Sequence, residues 1–464
     1  MQHTINNMHT KIAALTLILL PALGATAVNP VVQTCYTTDP APMVHNDTLY
    51  IYTGHDENNA DFFWMQEWRV YSTTDMANWT DHGSPLAIED FVWADDRAWA
   101  PQCVERGGKF YFYVPLHSKL SGAMAIGVAV GDTPTGPFRD ALGKPLVDGS
   151  WDYIDPTVFT DDDGQAYLYW GNPQLYYVKL NPDMVSFEGD VQRIEQTPAG
   201  FGEPRFVPME ADKKYTSTYT EGPWFYKRTG KYYMVYAAGG IPENISYSMS
   251  DRPTGPWSYK GVIMPQTDST NSFTNHAGII EYKGQPYFFY HTGNLPGGGG
   301  FGRSVAVEAF NYNSDGTFPL IEPTRNGVRA IGYFDPYGRH EAETIAWSEG
   351  VTTRQSDETG VYLSDIHNGD FTMVENVNFG GGHPVKFGAS IASGRRGGSI
   401  EVRTDSIDGP VVAILDVPAT GGWEKWRQIE TVVKSEITGV HDLYFVFTGR
   451  KGPELFNFDY WIFK

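Results

Sequence analysis

Cysteine is all but absent: Cys35 and Cys103 are the only two in 464 residues. Two thiols are too few for a disulfide framework or a thiolate zinc site. Whether this pair bonds depends on a Cα separation that spacing leaves open. Positive charge is scarce as well, with 34 Lys and Arg against 55 Asp and Glu and a formal net charge of −21. A field of that sign repels phosphate backbones and argues against a nucleic-acid partner. Long apolar runs are missing too. The apolar stretch at residues 12–20 falls short of the roughly 20 residues a membrane span needs. It follows Lys11 and leads into Ala25-Thr26-Ala27, the order of a secretory signal peptide. Residues 1–27 are therefore expected to be a cleaved signal, with the mature chain starting near Val28 and exported to the periplasm or the medium. No Cys follows directly, so no lipid anchor is expected.

What the chain has is aromatic residues (14 %), 50 Gly and 30 Pro, with 41 % hydrophobic residues to build a core. Its length suits about two domains. A repeat organises the first part. Asp39-Pro40-Ala41-Pro42-Met43-Val44 turns at His45-Asn46-Asp47 and returns as Leu49-Tyr50-Ile51-Tyr52. The pattern recurs from Ala100-Pro101-Gln102, from Asp155-Pro156-Thr157, from Glu221-Gly222-Pro223 and from His276-Ala277-Gly278. Each time an apolar strand, a Gly or Asx turn and an aromatic strand make a β-hairpin. A second hairpin follows each first one, ending at Asn78-Trp79, Gly136-Pro137-Phe138, Val185-Ser186-Phe187, Gly255-Pro256-Trp257 and Gly316-Thr317-Phe318. Five four-stranded sheets packed radially form a five-bladed β-propeller.

The first strand of each blade lines the channel, so the residues entering those strands converge at one mouth. At that offset stand Asp39, Ala100, Asp155, Glu221 and His276. Carboxylates packed together raise one another's pKa and can split into a protonated and an ionised member. A separated acid and base is the apparatus of glycoside hydrolysis. A metal site of the three carboxylates with His276 is the chemical alternative, and Asp-Pro on its own also serves as a turn opener. Phe62, Phe63, Trp64, Trp93, Trp99 and Trp170 are candidates to stack on sugar rings, or to pack in the core. Trp99, beside Ala100, leads them.

Residues 30 to about 325 resemble glycoside hydrolase family 43, a family of five-bladed propellers. The resemblance rests on Asp39-Pro40-Ala41, Trp99-Ala100-Pro101, Tyr153-Ile154-Asp155-Pro156 with Asp161-Asp162-Asp163-Gly164, and Tyr219-Thr220-Glu221-Gly222-Pro223. It implies Asp39 as general base, Glu221 as general acid and Asp155 as the residue that orients Glu221 and holds its pKa up. It implies His276 as a channel histidine beside a hydrated calcium, and Arg303 near base and substrate. It also implies inversion at the anomeric carbon, with acid and base about 6.5 to 9.5 Å apart. Gln102-Cys103 departs from the family, which usually has an acidic residue after the Trp-Ala-Pro motif.

Beyond a linker at residues 326–338, short alternating strands over 339–464 predict a β-sandwich. This part resembles carbohydrate-binding module family 6, a jelly roll, through Glu341-Ala342-Glu343, Asn368-Gly369-Asp370, Ala392-Ser393-Gly394, Gly421-Gly422-Trp423 and Leu455-Phe456-Asn457-Phe458-Asp459. The resemblance implies Trp423 as a sugar platform, Asn457 as a polar contact, and Glu341, Glu343 and Asp459 around a structural calcium. Asp365 stands where a facing aromatic is usual, with Tyr362 as its substitute. The expected protein is thus all-β, needs no organic cofactor and acts on plant hemicellulose. The first expectation is an α-L-arabinofuranosidase on arabinoxylan. A β-xylosidase on xylo-oligosaccharides, an endo-arabinanase and a catalytically silent carbohydrate-binding protein are the alternatives.

Overall fold

The computed structural model describes residues 28–205 and 215–464; the expected signal peptide lies outside the described residues. Five antiparallel sheets follow one another along the chain. Their first strands are Thr38–His45, Gln102–Arg106, Thr157–Thr160, Tyr219–Arg228 and Gly278–Tyr282. The first of these touches both the second and the fifth, the second touches the third, and the third touches the fourth. The indole N–H of Trp224 donates to the Ile279 carbonyl between the fourth and fifth blades (3.1 Å). The ring packs on aromatic side chains with almost no exposure, among them Trp68, Phe112, Tyr233 and Tyr290. The first turn works as its residues demand, with Asn46 and Asp47 both at positive φ (48° and 59°), the backbone of a tight hairpin.

The fifth blade departs from expectation. It has three strands of its own, Gly278–Tyr282, Gln285–Thr292 and Ser304–Ala309. The place of a fourth is taken by the segment just after the expected signal peptide. Val31 N–H donates to Val305 O (2.8 Å), Thr37 N–H to Arg303 O (2.9 Å), and the Asn29 side chain both donates to and accepts from the Val307 backbone (3.1 and 3.0 Å). Gly316-Thr317-Phe318, expected there, is displaced to the fourth blade. Phe318 N–H donates to the Tyr247 hydroxyl (3.1 Å) and Ile321 N–H to the Ile263 carbonyl (2.7 Å). One circular sheet order is thereby sewn shut by both ends of the domain.

The C-terminal domain stacks two antiparallel sheets on a core that includes Phe387, Phe445, Phe458 and Trp461. It is docked, not tethered. The strand Thr344–Ile345, inside the range expected for the sandwich, extends the first propeller sheet by pairing with Trp79 and Thr80. Arg69 donates to Asp81 (2.8 Å) and to Thr353 (3.1 Å), and Asn78 exchanges two hydrogen bonds with the Glu375 backbone (3.0 and 2.8 Å). Both cysteines are free: Cys103 lies in the propeller core, and the thiol of Cys35 meets the Tyr71 hydroxyl at 3.2 Å. Among the described residues, no helix is long and apolar enough to cross a membrane.

Glu375 is fully buried in the seam between the domains, and neither carboxylate oxygen is hydrogen-bonded. Burial first, then the nearby Asp442 and Asp75, pushes its pKa up to about 7. The folded protein holds this proton more tightly than the unfolded chain does. The cost of ionising the group is absent below about pH 4.5 and grows until the pH passes about 7. Raising the pH from about 5 to about 8 is expected to lower the melting temperature, and Glu375→Gln to flatten that slope. An unchanged slope in the variant contradicts this reading.

Candidate active site

Asp39 and Asp155 open the first strands of the first and third blades, both in the left-handed region (φ 51° and 58°). A following proline already bars the helical region, and holding a non-glycine residue at positive φ costs about 1 kcal/mol. The same strained backbone at equivalent points of two blades aims both carboxylates into the channel mouth. Glu221 reaches it through a break in strand register between Tyr219 and Trp224, as β-bulges re-aim side chains. Gly222 is needed there: its φ is +59°, and a Cβ would lie 3.0 Å from His276 Nδ1. Its N–H donates to Asp155 Oδ2 (2.9 Å), tying the third blade to the turn that carries Glu221.

These side chains line one cleft of ≈ 200 Å³. It gathers the residues of the shared offset, Asp39, Ala100, Asp155, Glu221 and His276, together with Trp99 and Arg303. Phe62 and Phe63 line it as well, whereas Trp93 and Trp170 are core residues and Trp64 lies outside the lining. Trp99 is fixed by its indole N–H on the Phe63 carbonyl (2.9 Å).

The electrostatics divide the carboxylates. Burial alone would raise the pKa of Asp39, but Arg303 first, then His291 and His276, outweigh it and hold the carboxyl well below the usual range. Asp39 Oδ1 lies 3.5 Å from Arg303 Nη1, 3.2 Å from His291 Nδ1 and 3.8 Å from His276 Nδ1. Asp155 goes the other way: burial, then Glu221 and Asp39, pushes it well above the carboxylate range. Its neighbour Glu221 accepts a hydrogen bond from the Asn172 amide. Burial depresses His276 to about 4 despite Asp39, so its ring is neutral at neutral pH.

Four buried or half-buried polar residues here escape the repeat analysis. Asp56 grips Arg303 by three hydrogen bonds, to Nε (2.8 Å), Nη2 (2.8 Å) and the backbone N–H (2.9 Å). His291 fixes its ring by donating from Nε2 to the Thr274 carbonyl (2.9 Å). Asn172 and Glu243 join the lining. Asp56, Asn172 and His291 share a sequence signal, since each stands at or just past the end of an aromatic second strand (Thr48–Gly54, Ala166–Trp170, Gln285–Thr292). The shared offset of the sequence repeat covers the entries to the first strands only.

In the C-terminal domain Trp423 is half-buried, with the Arg395 guanidinium 5.5 Å from its ring centroid. Asn457, implied as a polar contact, is 2 % exposed and donates to the Trp423 carbonyl (2.6 Å), so it holds the platform's backbone. Tyr362 is buried as well, edge-on to Trp426 at 5.0 Å, and does not replace the missing aromatic. Asp365 instead pairs with Arg354 (3.2 Å). Among the described residues, no three His, Cys, Asp or Glu side chains are grouped to hold a metal ion. Arg339 Nη2 lies 3.0 Å from Glu341 and 3.8 Å from Asp459, and Glu343 and Asp459 are buried, each with one carboxylate oxygen without a hydrogen bond. His276 turns Nδ1 to Asp39.

Residues 27–318 match the model of glycosyl hydrolases family 43, and residues 341–464 that of carbohydrate binding module (family 6). The chain is 35 % identical to an arabinoxylan arabinofuranohydrolase of Bacillus subtilis (strain 168), over 94 % of this chain and 92 % of that protein. It is 35 % identical to a xylosidase/arabinosidase of Bacteroides ovatus, over 62 % of this chain and 95 % of that protein. The crystal structure of a family 43 arabinoxylan arabinofuranohydrolase from Bacillus subtilis, in complex with cellotetraose, superposes with a TM-score of 0.80 at 32 % identity, covering 95 % of this chain and 99 % of that one.

Removing Asp56 strands a buried guanidinium. Asp56→Ala is expected to cost about 3–5 kcal/mol of stability in chemical denaturation. A loss below about 1 kcal/mol, the scale of an exposed pair, would show that the clamp does not hold Arg303.

Proposed function

The chain belongs to the glycosyl hydrolases of family 43 and carries a family 6 carbohydrate-binding module, and on that premise we propose that it removes α-L-arabinofuranosyl side chains from arabinoxylan with inversion. The observation that carries the chemical roles is the opposite setting of the carboxylates in one cleft, Asp39 drawn down beside Arg303 and Asp155 pushed up by burial and the neighbouring Glu221. Asp39 takes a proton from a water molecule as that water attacks the anomeric carbon. Glu221 gives its proton to the glycosidic oxygen as the bond to the xylose breaks. Asp155 is a positioning residue. It anchors the Glu221 turn through the Gly222 N–H, and two carboxyl groups so placed cannot both ionise easily, so the pair keeps a proton for Glu221 to give. Neutral His276 and the clamped Arg303 shape the pocket around the base.

The arabinoxylan reading is supported by a similarity that runs through both domains to an arabinoxylan arabinofuranohydrolase. A cleft of ≈ 200 Å³ suits one sugar ring at a chain end or branch better than the open groove of an endo-acting enzyme. The second reading, a β-xylosidase, is supported by the xylosidase/arabinosidase relative, which matches 62 % of this chain. Export is proposed from the Lys11 start, the apolar stretch and the small residues before Val28.

Chromatography of the sugars released from arabinoxylan and from xylo-oligosaccharides tests the reading. Arabinose from the polymer is expected; xylose from the oligomers alone would make the enzyme a β-xylosidase. Glu221→Gln is expected to lower kcat at least about a hundredfold with an unchanged circular dichroism spectrum. Retained turnover in that variant removes Glu221 as the acid.

A further inference from the structure

Trp151 is a large aromatic that the core does not use: 57 % of it is exposed. It lies on the loop that leads into Asp155, four residues ahead of it, and that loop is pinned to the second blade where Ser118 and Ser121 donate to Asp148 (3.2 and 2.6 Å). Its neighbours hold it in place. The Arg97 guanidinium sits 5.3 Å from the Trp151 ring centroid and 5.5 Å from that of Trp99, which lines the cleft. Arg97 is itself fixed at positive φ (68°) and paired with Asp96 at 2.5 Å. On the Trp151 ring also rests the His117 imidazole, 5.6 Å between centroids, held by Asp95 at 2.6 Å.

Strain of this kind on a non-glycine residue points to function when the surroundings enforce it. An exposed indole held by an arginine that bridges to a cleft-lining tryptophan continues the cleft outward. Arg97 and His117 each meet a carboxylate, so the ridge offers hydrogen-bonding groups without a bare charge. That combination suits an uncharged saccharide, whose C–H face stacks on the indole while its hydroxyls meet fixed polar groups.

We propose that Trp151, braced by Arg97 and His117, is a platform for the β-linked xylose backbone that carries the scissile arabinosyl group. It rests on the arabinoxylan reading above and adds the place where the leaving polymer lies. The cleft proper takes the sugar that is cleaved, and Trp151 orients what it is cleaved from.

The test compares kcat/KM on arabinoxylan with kcat/KM on p-nitrophenyl α-L-arabinofuranoside, which has no xylose backbone. Trp151→Ala is expected to lower the polymer-to-aryl-glycoside ratio about tenfold, and Trp151→Phe to restore most of it. A ratio unchanged in Trp151→Ala overturns the platform, and so does a ratio that Trp151→Phe fails to raise. Failure of the underlying reading is seen separately: the unsubstituted protein then releases no arabinose from the polymer, and the platform falls with it.

Discussion

A single buried guanidinium sets the chemistry of the channel mouth. Arg303 is 3 % exposed and shared between two carboxylates, gripped by Asp56 and facing Asp39. Burying a charge this deeply is tolerable only when it is paired and fully hydrogen-bonded. Asp56 supplies that pairing, which leaves the second face of the guanidinium to act on Asp39. Desolvation would otherwise push Asp39 up, as it pushes Asp155. The difference between the base and the proton-bearing carboxyl pair in one cleft thus comes down to which carboxylate has the arginine.

The fold is arranged to keep that arginine in place. Arg303 immediately precedes the last propeller strand, Ser304–Ala309, and Asp39 lies in the first, Thr38–His45. The N-terminal segment runs along the last strand, with Thr37 N–H on the Arg303 carbonyl and Val305 N–H on the Thr37 hydroxyl (2.9 and 3.2 Å). The closure of the ring and the assembly of base and arginine are therefore one event. The docked C-terminal domain adds Thr344–Ile345 to the outer edge of the same first sheet, so an exposed edge strand is covered and the module is held in a fixed relation to the blade that carries Asp39.

Much of this is legible in the sequence because a propeller repeats. Asp39, Asp155, Glu221 and His276 surface from a shared offset, and Asp-Pro at two of the five positions announces the strained backbone found there. Asp56 and His291 were not legible by that route. They belong to second strands and act only through contacts with residues about 250 positions away, as in Arg303 with Asp56 and His291 with Asp39. The origin of the fifth blade's last strand was hidden for a related reason. The Gly-Thr-Phe turn at 316–318 repeats the local pattern, yet the space it would fill is already taken by the other end of the chain. In the module, Asn457 and Tyr362 carry the right residue types at the right spacing. Local packing decides their exposure, and both are buried.

The most direct test of the central claim is an infrared difference spectrum at neutral pH between the protein and its Asp155→Asn variant. Loss of a protonated carboxyl band is expected, because the coupled Asp155 and Glu221 keep one proton between them while Asp39 beside Arg303 is ionised. Loss of ionised carboxylate bands alone would contradict it, and would mean that the cleft does not divide its carboxylates as the geometry requires.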